Sequence, residues 1–230
     1  MKLVLTCEHA YNNIPRKYQG LFLKAKKILN SHRGYDPGAL ELFKTLEELA
    51  YFSQVQETGR LLVEVNRSIK HPQLFSEFTK KLPRREKLEV LDTYYFPYRN
   101  SVETQISRLI EKGEKVLHLS VHTFTPYLNE EIRNTGIGLL YDSSRKMEKH
   151  FCKNFKQYLN EQNPHLKIRF NYPYLGKADG FTTFLRKKFP EDYMGIELEV
   201  NQSFIINNQM NSAIKKQIFF ALKEAFINYK

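Results

Sequence analysis

Short apolar runs alternate along this chain with longer stretches whose apolar positions recur every three or four residues. "KLVLTCEH" (2–9) reads as a strand. "DPGALELFKTLEELAYF" (36–52) carries Leu40, Phe43, Leu46 and Leu49 at helical spacing, with Asp36 placed to cap it and Pro37 suited to its first turn. "RLLVEVNRS" (60–68) reads as a second strand, and the polar, aromatic stretch after it as a loop to about Tyr95. "FPYRNSVETQISRLIEKG" (96–113) is a helix ended by Gly113, and "KVLHLSVHTF" (115–124) and "GIGLLYD" (136–142) are strands. "SRKMEKHFCKNFKQYLNEQ" (144–162) is helical, "KIRFNYPY" (167–174) extended, and "DGFTTFLRKKF" (179–189) a helix capped by its Asp. "MGIELEVNQ" (194–202) gives the last strand and "MNSAIKKQIFFALKEAFINY" (210–229) the closing helix. Strands alternating with helices predict an α/β fold in three layers, a mixed but mostly parallel sheet with helices on both faces. No repeat, low-complexity tract or linker interrupts it, so residues 1–230 are expected to form one domain.

Composition narrows the setting. No stretch approaches the roughly 18 to 20 apolar residues of a membrane span. The chain opens directly on a strand pattern with no leader-like segment, so the expected location is cytoplasmic. The two cysteines, Cys7 and Cys152, exclude a disulfide framework and an all-cysteine zinc site. The 36 Lys plus Arg against 25 Asp plus Glu, net +11, favour anionic partners. The basic clusters "KAKK", "KKLPRREK" and "LRKKF" fall in amphipathic or loop contexts without a nucleic-acid-binding signature, so they read as solvated faces.

In sheets of this kind, ligands collect outside the carboxyl ends of the strands, and several of those ends are polar here. Cys7-Glu8-His9 closes the first strand; alternation puts Cys7 and His9 on one face and Glu8 on the other. His118, Ser120 and His122 share a face of "HLSVHTF". Two strands ending in His can bring two imidazoles together, and a catalytic zinc site needs three protein ligands plus water. Asp36 and Glu8 are the available carboxylates for the third. A nucleophilic Cys7 is the weaker alternative, because its thiol lies inside the strand. Glu197 and Glu199 share a face of the last strand, where burial demands a metal, a cation or a shared proton. A carboxylate beside metal-bound water can move that water's proton to a leaving nitrogen. Asn66 and Arg67 offer an amide and a guanidinium fork to a substrate carboxylate.

Taken in order, "CEHAYNNIP", "HRGYDPGA", "VNRS", "LHLSVHTF", "GIGLLYD", "NYPYLGKADGFT" and "GIELEVNQ" resemble the N-formylglutamate amidohydrolase family. The resemblance implies an architecture related to zinc carboxypeptidases and amino-acid deacylases. It also implies a divalent metal, zinc by preference, and a small N-acyl amino acid or peptide-like substrate typified by N-formyl-L-glutamate. Carried over by position, His9 and His122 would be metal ligands. The carboxypeptidase relatives have a Glu three residues after the first His, where this chain has Asn12, so the third ligand is assigned to Asp36, with Glu8 as the alternative. Glu199 resembles the general acid/base, with Glu197 sharing its face, and Arg133 or Arg67 would help stabilise the oxyanion. Asn66 and Arg67 match a carboxylate-gripping pair, and Asn171, Gly176, Asp179 and Thr182 fall in a segment resembling a pocket loop. The rival readings are a carboxypeptidase-like or cell-wall-peptide hydrolase on the same scaffold, and a non-enzymatic binder of polyanions or nucleic acid.

Overall fold

The computed structural model describes residues 1–229. The elements follow in chain order: β1 (Lys2–Cys7), α1 (Lys26–Leu29), α2 (Ala39–Leu46), β2 (Phe52–Val55), α3 (Arg84–Val90), α4 (Phe96–Glu111) and β3 (Val116–Phe124). After them come the short hairpin β4 (Tyr127–Leu128) and β5 (Glu131–Ile132), then β6 (Ile137–Leu140), α5 (Lys146–Gln162), β7 (Ile168–Phe170), α6 (Phe181–Lys188) and β8 (Tyr193–Asn201). A second small hairpin, β9 (Ile205–Ile206) and β10 (Gln209–Met210), precedes α7 (Ser212–Ile227).

The main sheet has the order β2-β1-β3-β8-β6-β7, and every pairing is parallel except that of β6 with β8. Side chains alternate across it in a regular way. Leu3, Leu5 and Cys7 of β1, Leu117, Leu119 and Val121 of β3, and Ile196, Leu198 and Val200 of β8 all enter one apolar layer, closed by α2, α5 and α7. The other face carries Val4, Val116 and Tyr193 into a second apolar layer beneath α3, α4 and α6. The three-layer, mixed and mostly parallel arrangement expected from the sequence is therefore present. No helix among the described residues is long and apolar enough to cross a membrane.

Several local expectations fail for physical reasons. Residues 60–68 are not a strand. Phe52–Val55, read as the tail of a helix, pairs with β1 on the side away from β3, so both edges of β1 are filled. Leu62, Val63 and Val65 are buried by packing under α4 and α6, and their backbone is satisfied piecemeal, as by Leu74 O for the Glu64 N–H and Arg99 for the Val65 carbonyl. An apolar run of this length reads as a strand by pattern alone, but burial without pairing gives the same pattern. The stretch before Tyr95 is not all loop: α3 begins at Arg84 and runs through a π-helical turn at Leu91–Tyr95 into α4.

Neither Asp expected to cap a helix does so. Helix α2 starts after Gly38, which is left-handed (φ 77°) and packed so closely on Ile205 that a Cβ would lie 2.7 Å from its Cδ1. Asp36 is released to turn elsewhere. Asp179 accepts from the Ser68 N–H, while Gly180 leads into α6.

Candidate active site

The polar residues of the central strands lie on one face. Thr6 and Glu8 follow Val4, His118, Ser120 and His122 follow Val116, and Glu197 and Glu199 follow Tyr193. Parallel register places Ser120 opposite Glu197 and His122 opposite Glu199. At the carboxyl ends of β1, β3 and β8 this row opens into a cavity of about 340 Å³. Its wall includes His9, Asp36, Arg60, Asn66, Arg67 and Glu199.

Alternation misplaces His9. Strand β1 ends at Cys7, and the chain turns so that the His9 carbonyl accepts the Asp36 N–H at 2.9 Å. Cys7 stays in the apolar layer, where burial raises its thiol well above the ordinary value, while the His9 ring swings to the opposite face. There the His9 and His122 rings stand 4.8 Å apart. Asp36 Oδ2 lies 3.2 Å from His9 Nδ1 and 2.9 Å from His122 Nδ1. One ligand atom from each of His9, Asp36 and His122 falls within 4.8 Å of the other two, and all three residues are buried.

The far side of each imidazole is also held. His9 Nε2 is 2.7 Å from Glu64 Oε1. His122 Nε2 is 2.8 Å from Ser120 Oγ and 3.3 Å from Glu8 Oε2, and Glu8 also accepts from Ser120 and from Tyr98 at 2.9 Å. Arg60 binds Glu64 through Nε at 2.7 Å and reaches Asp36 Oδ1 at 3.4 Å.

These contacts set the charges. Burial alone would raise Asp36, but His9 and His122 hold its carboxyl well below the usual range. Burial likewise opposes ionisation of Glu8 and Glu64, and each is overcome: His122 and Ser120 lower Glu8, Arg60 and His9 lower Glu64. Glu199 behaves in the opposite way. Burial, with Asp36 and Glu197 adding to it against the pull of His122, pushes its carboxyl up to about 8. Its Oε2 is buried and has no hydrogen-bond partner.

Two imidazole nitrogens and one carboxylate oxygen form the donor set of a three-ligand catalytic metal site, and carboxylates behind ligating imidazoles are a recurrent support for such sites. The residues present therefore fit a divalent cation. Glu8, the alternative third ligand, does not line the cavity and is engaged behind His122. Asn12 binds Leu29 O and Asn30 instead of joining the cluster.

The remaining candidates divide. Asn66 and Arg67 line the cavity; Asn66 Oδ1 accepts from Phe181 N at 2.8 Å, and Arg67 donates to Asp179 O. Glu197 also lines it, with Oε1 taken by Thr182 Oγ1 at 2.8 Å, so Thr182 supports Glu197 from outside the wall. Asn171 lies outside the wall too and ties its own loop together, accepting from Tyr141 N and Gly176 N. Asp179 and the neighbouring Ala178, Leu175 and Tyr174 do face the cavity, whereas Gly176 does not. Arg133 packs on Tyr174 and is not beside the imidazoles. Sequence reading missed Glu64 and Arg60. Glu64 carried the same signal as Glu197 and Glu199, an acid within an apolar run, whereas nothing local distinguishes Arg60.

Comparison with known proteins agrees with this geometry. The N-formylglutamate amidohydrolase family matches residues 1–206. Among solved structures, a gene product of Agrobacterium tumefaciens superimposes with a TM-score of 0.83 at 27% identity, over 98% of this chain and 90% of that one. The N-formylglutamate amidohydrolase of Ralstonia eutropha JMP134 shares the fold with a TM-score of 0.77 at 14% identity, over 99% and 93% of the two chains. No curated protein matches the sequence. The family match runs from the first strand through the last strand of the main sheet, and on that ground the chain belongs to the N-formylglutamate amidohydrolase family and is a hydrolase of amide bonds.

Proposed function

We propose that the protein is a metal-dependent amidohydrolase that cleaves the amide of an N-acyl amino acid, with N-formyl-L-glutamate as the type substrate. The observation that carries this reading is the convergence of His9 Nδ1, His122 Nδ1 and Asp36 Oδ2 next to the unpartnered oxygen of Glu199. In this reading those three atoms hold a divalent cation, zinc by the nature of the donors. When bound, such an ion lowers the pKa of its water toward ~7 and polarises the acyl oxygen.

The chain's own groups do the rest. Glu64 and Ser120, the latter backed by Glu8, accept the Nε2 protons of the two imidazoles, which fixes both tautomers and leaves each Nδ1 lone pair directed at Asp36. Glu199 takes a proton from the attacking water as the oxygen–carbon bond forms, then delivers it to the nitrogen as the carbon–nitrogen bond breaks. Glu199 is preferred to Glu197 for this role because one Glu197 oxygen is already held by Thr182. Asn66 and Arg67 orient the substrate by its α-carboxylate.

A cytoplasmic setting belongs to the same reading, supported by Cys7 and Cys152 being buried free thiols. The net charge of +11 is then a property of solvated surface, and nucleic acid is not a partner. The test is a panel of N-formyl, N-acetyl and peptide substrates, assayed for amine release with and without chelator. The reading expects chelator-sensitive release from N-formyl amino acids; activity confined to peptides would replace it with the peptidase alternative.

A further inference from the structure

Arg133 differs from the other buried arginines. It is only 8% exposed, yet among the described residues no carboxylate pairs with it. Arg186 is matched by Glu148, and Arg60 by Glu64 and Asp36. Arg99 is held by the Val65 carbonyl and stacked on Phe181 and Phe184. Arg133 has one long hydrogen bond, Nη1 to the Tyr174 hydroxyl at 3.4 Å, and its buried Nε has no partner at all. A guanidinium presents five donors in a fixed fork. Burying it without an anion costs several kcal/mol.

Its position is fixed by backbone contacts. Arg133 N donates to Pro126 O at 2.8 Å, and Arg133 O accepts from Asn201 Nδ2 at the end of β8, also at 2.8 Å. The residue leads into β6, which pairs with β8 so that Gly138 lies opposite Glu199. In the sheet order, β8 with Glu199 stands between β3 with His122 and β6 with the Arg133 approach. Tyr174, whose ring lies 5.5 Å from the guanidinium, forms part of the cavity wall together with Arg67. Arg67, like Arg133, has no carboxylate partner among the described residues; it donates to the Asp179 carbonyl. Two unmatched forks thus attach to one loop, at Tyr174 and at Asp179.

We propose that Arg133 anchors a second carboxylate of the substrate, so that Arg67 takes the α-carboxylate and Arg133 the side-chain carboxylate of an N-acyl amino dicarboxylic acid. This rests on the reading above for the scissile bond, but the anion site itself does not need turnover. A carboxylate reaching past Tyr174, whose side chain is 47% exposed and free to shift, replaces the long hydroxyl contact and satisfies Nε and Nη together.

The test uses the full-length protein, its Arg133→Met and Arg133→Lys variants, and two probes. The first is kcat/KM on N-formyl-L-glutamate against its neutral isostere N-formyl-L-glutamine. The second is calorimetric binding of glutarate against butyrate, with folding of each variant checked by its melting temperature. The wild type is expected to prefer the dicarboxylate by about 10- to 100-fold, in line with a charge-assisted hydrogen bond. In Arg133→Met the preference collapses toward unity and glutarate loses its advantage over butyrate; Arg133→Lys recovers part of both. An equal loss on both substrates, or an unchanged ratio, overturns the proposal. If no substrate is cleaved, the hydrolase reading fails, while glutarate binding that depends on Arg133 still upholds the anion site. Wild-type protein that does not favour glutarate over butyrate overturns it.

Discussion

His122 and Glu199 stand directly opposite one another on the parallel strands β3 and β8, with both side chains on the face that opens into the cavity. One imidazole nitrogen of His122 is turned to Asp36, and Glu199 keeps an oxygen without a partner. Sheet register thus sets a metal-binding group beside a proton carrier.

Glu199→Gln is expected to retain fold and metal while kcat falls by about 100- to 10,000-fold, the usual contribution of a positioned acid/base. Glu197→Gln should lose less, since Thr182 already occupies one of its oxygens. Steady-state kinetics with metal analysis of both variants check this. A Glu199→Gln enzyme that turns over normally removes Glu199 from the reaction.

Glu8 is expected to act on metal affinity through His122. Glu8→Ala should weaken binding about 10- to 100-fold, as loss of a supporting carboxylate does, while Glu8→Gln, whose amide oxygen can still accept, should weaken it less. Competition with a chromophoric chelator measures both. Metal that fails to bind Glu8→Gln at any concentration would instead make Glu8 a ligand.

The centre of the sheet was legible because β3 and β8 alternate cleanly. His118, Ser120 and His122 interrupt one apolar face, and Glu197 and Glu199 interrupt the same face next door. Their meeting with His9 followed from strand ends gathering on one side of a parallel sheet. What sequence could not convey was placement by turns. His9 leaves the face that alternation assigns it because β1 stops two residues earlier, and Asp36 leaves its helix because Gly38 takes the left-handed start. Glu64 was hidden inside an apolar run that is buried without pairing, and Arg60 meets Asp36 only through the tertiary fold.

His118 makes stability depend on pH. Burial lowers its pKa to about 4 from 6.5, and its nitrogens meet Thr6 at 2.8 Å and Tyr193 at 2.6 Å. The unfolded chain binds the proton more readily, so this contribution is complete above pH 6.5 and is lost as pH falls from there toward about 4. The full span is worth on the order of 3 kcal/mol. Urea unfolding of the wild type and of His118→Gln at pH 7 and pH 5 should show a smaller acid-side loss in the variant. Parallel pH profiles would refute the assignment.

Glu148 and Arg186 form a buried pair that holds the pocket loop from below. Glu148 Oε1 accepts from Arg186 Nε at 2.9 Å and from Gly195 N at 3.0 Å, while Arg186 Nη1 donates to Gly176 O at 2.6 Å. Glu148→Ala strands a buried guanidinium and should cost about 3 to 5 kcal/mol. Glu148→Gln, which keeps the hydrogen bonds, should cost less. Denaturant unfolding separates them, and equal stability in all three proteins would show the pair to be dispensable.

The most direct test of the metal-dependent reading is to measure metal content and N-formyl-L-glutamate hydrolysis on the same samples of wild type, His9→Ala and His122→Ala. The account predicts about one divalent ion per wild-type chain, activity that vanishes with chelation and returns with zinc, and loss of both ion and activity in the two variants. Undiminished hydrolysis by metal-free protein, or full metal occupancy without His9 and His122, would contradict it.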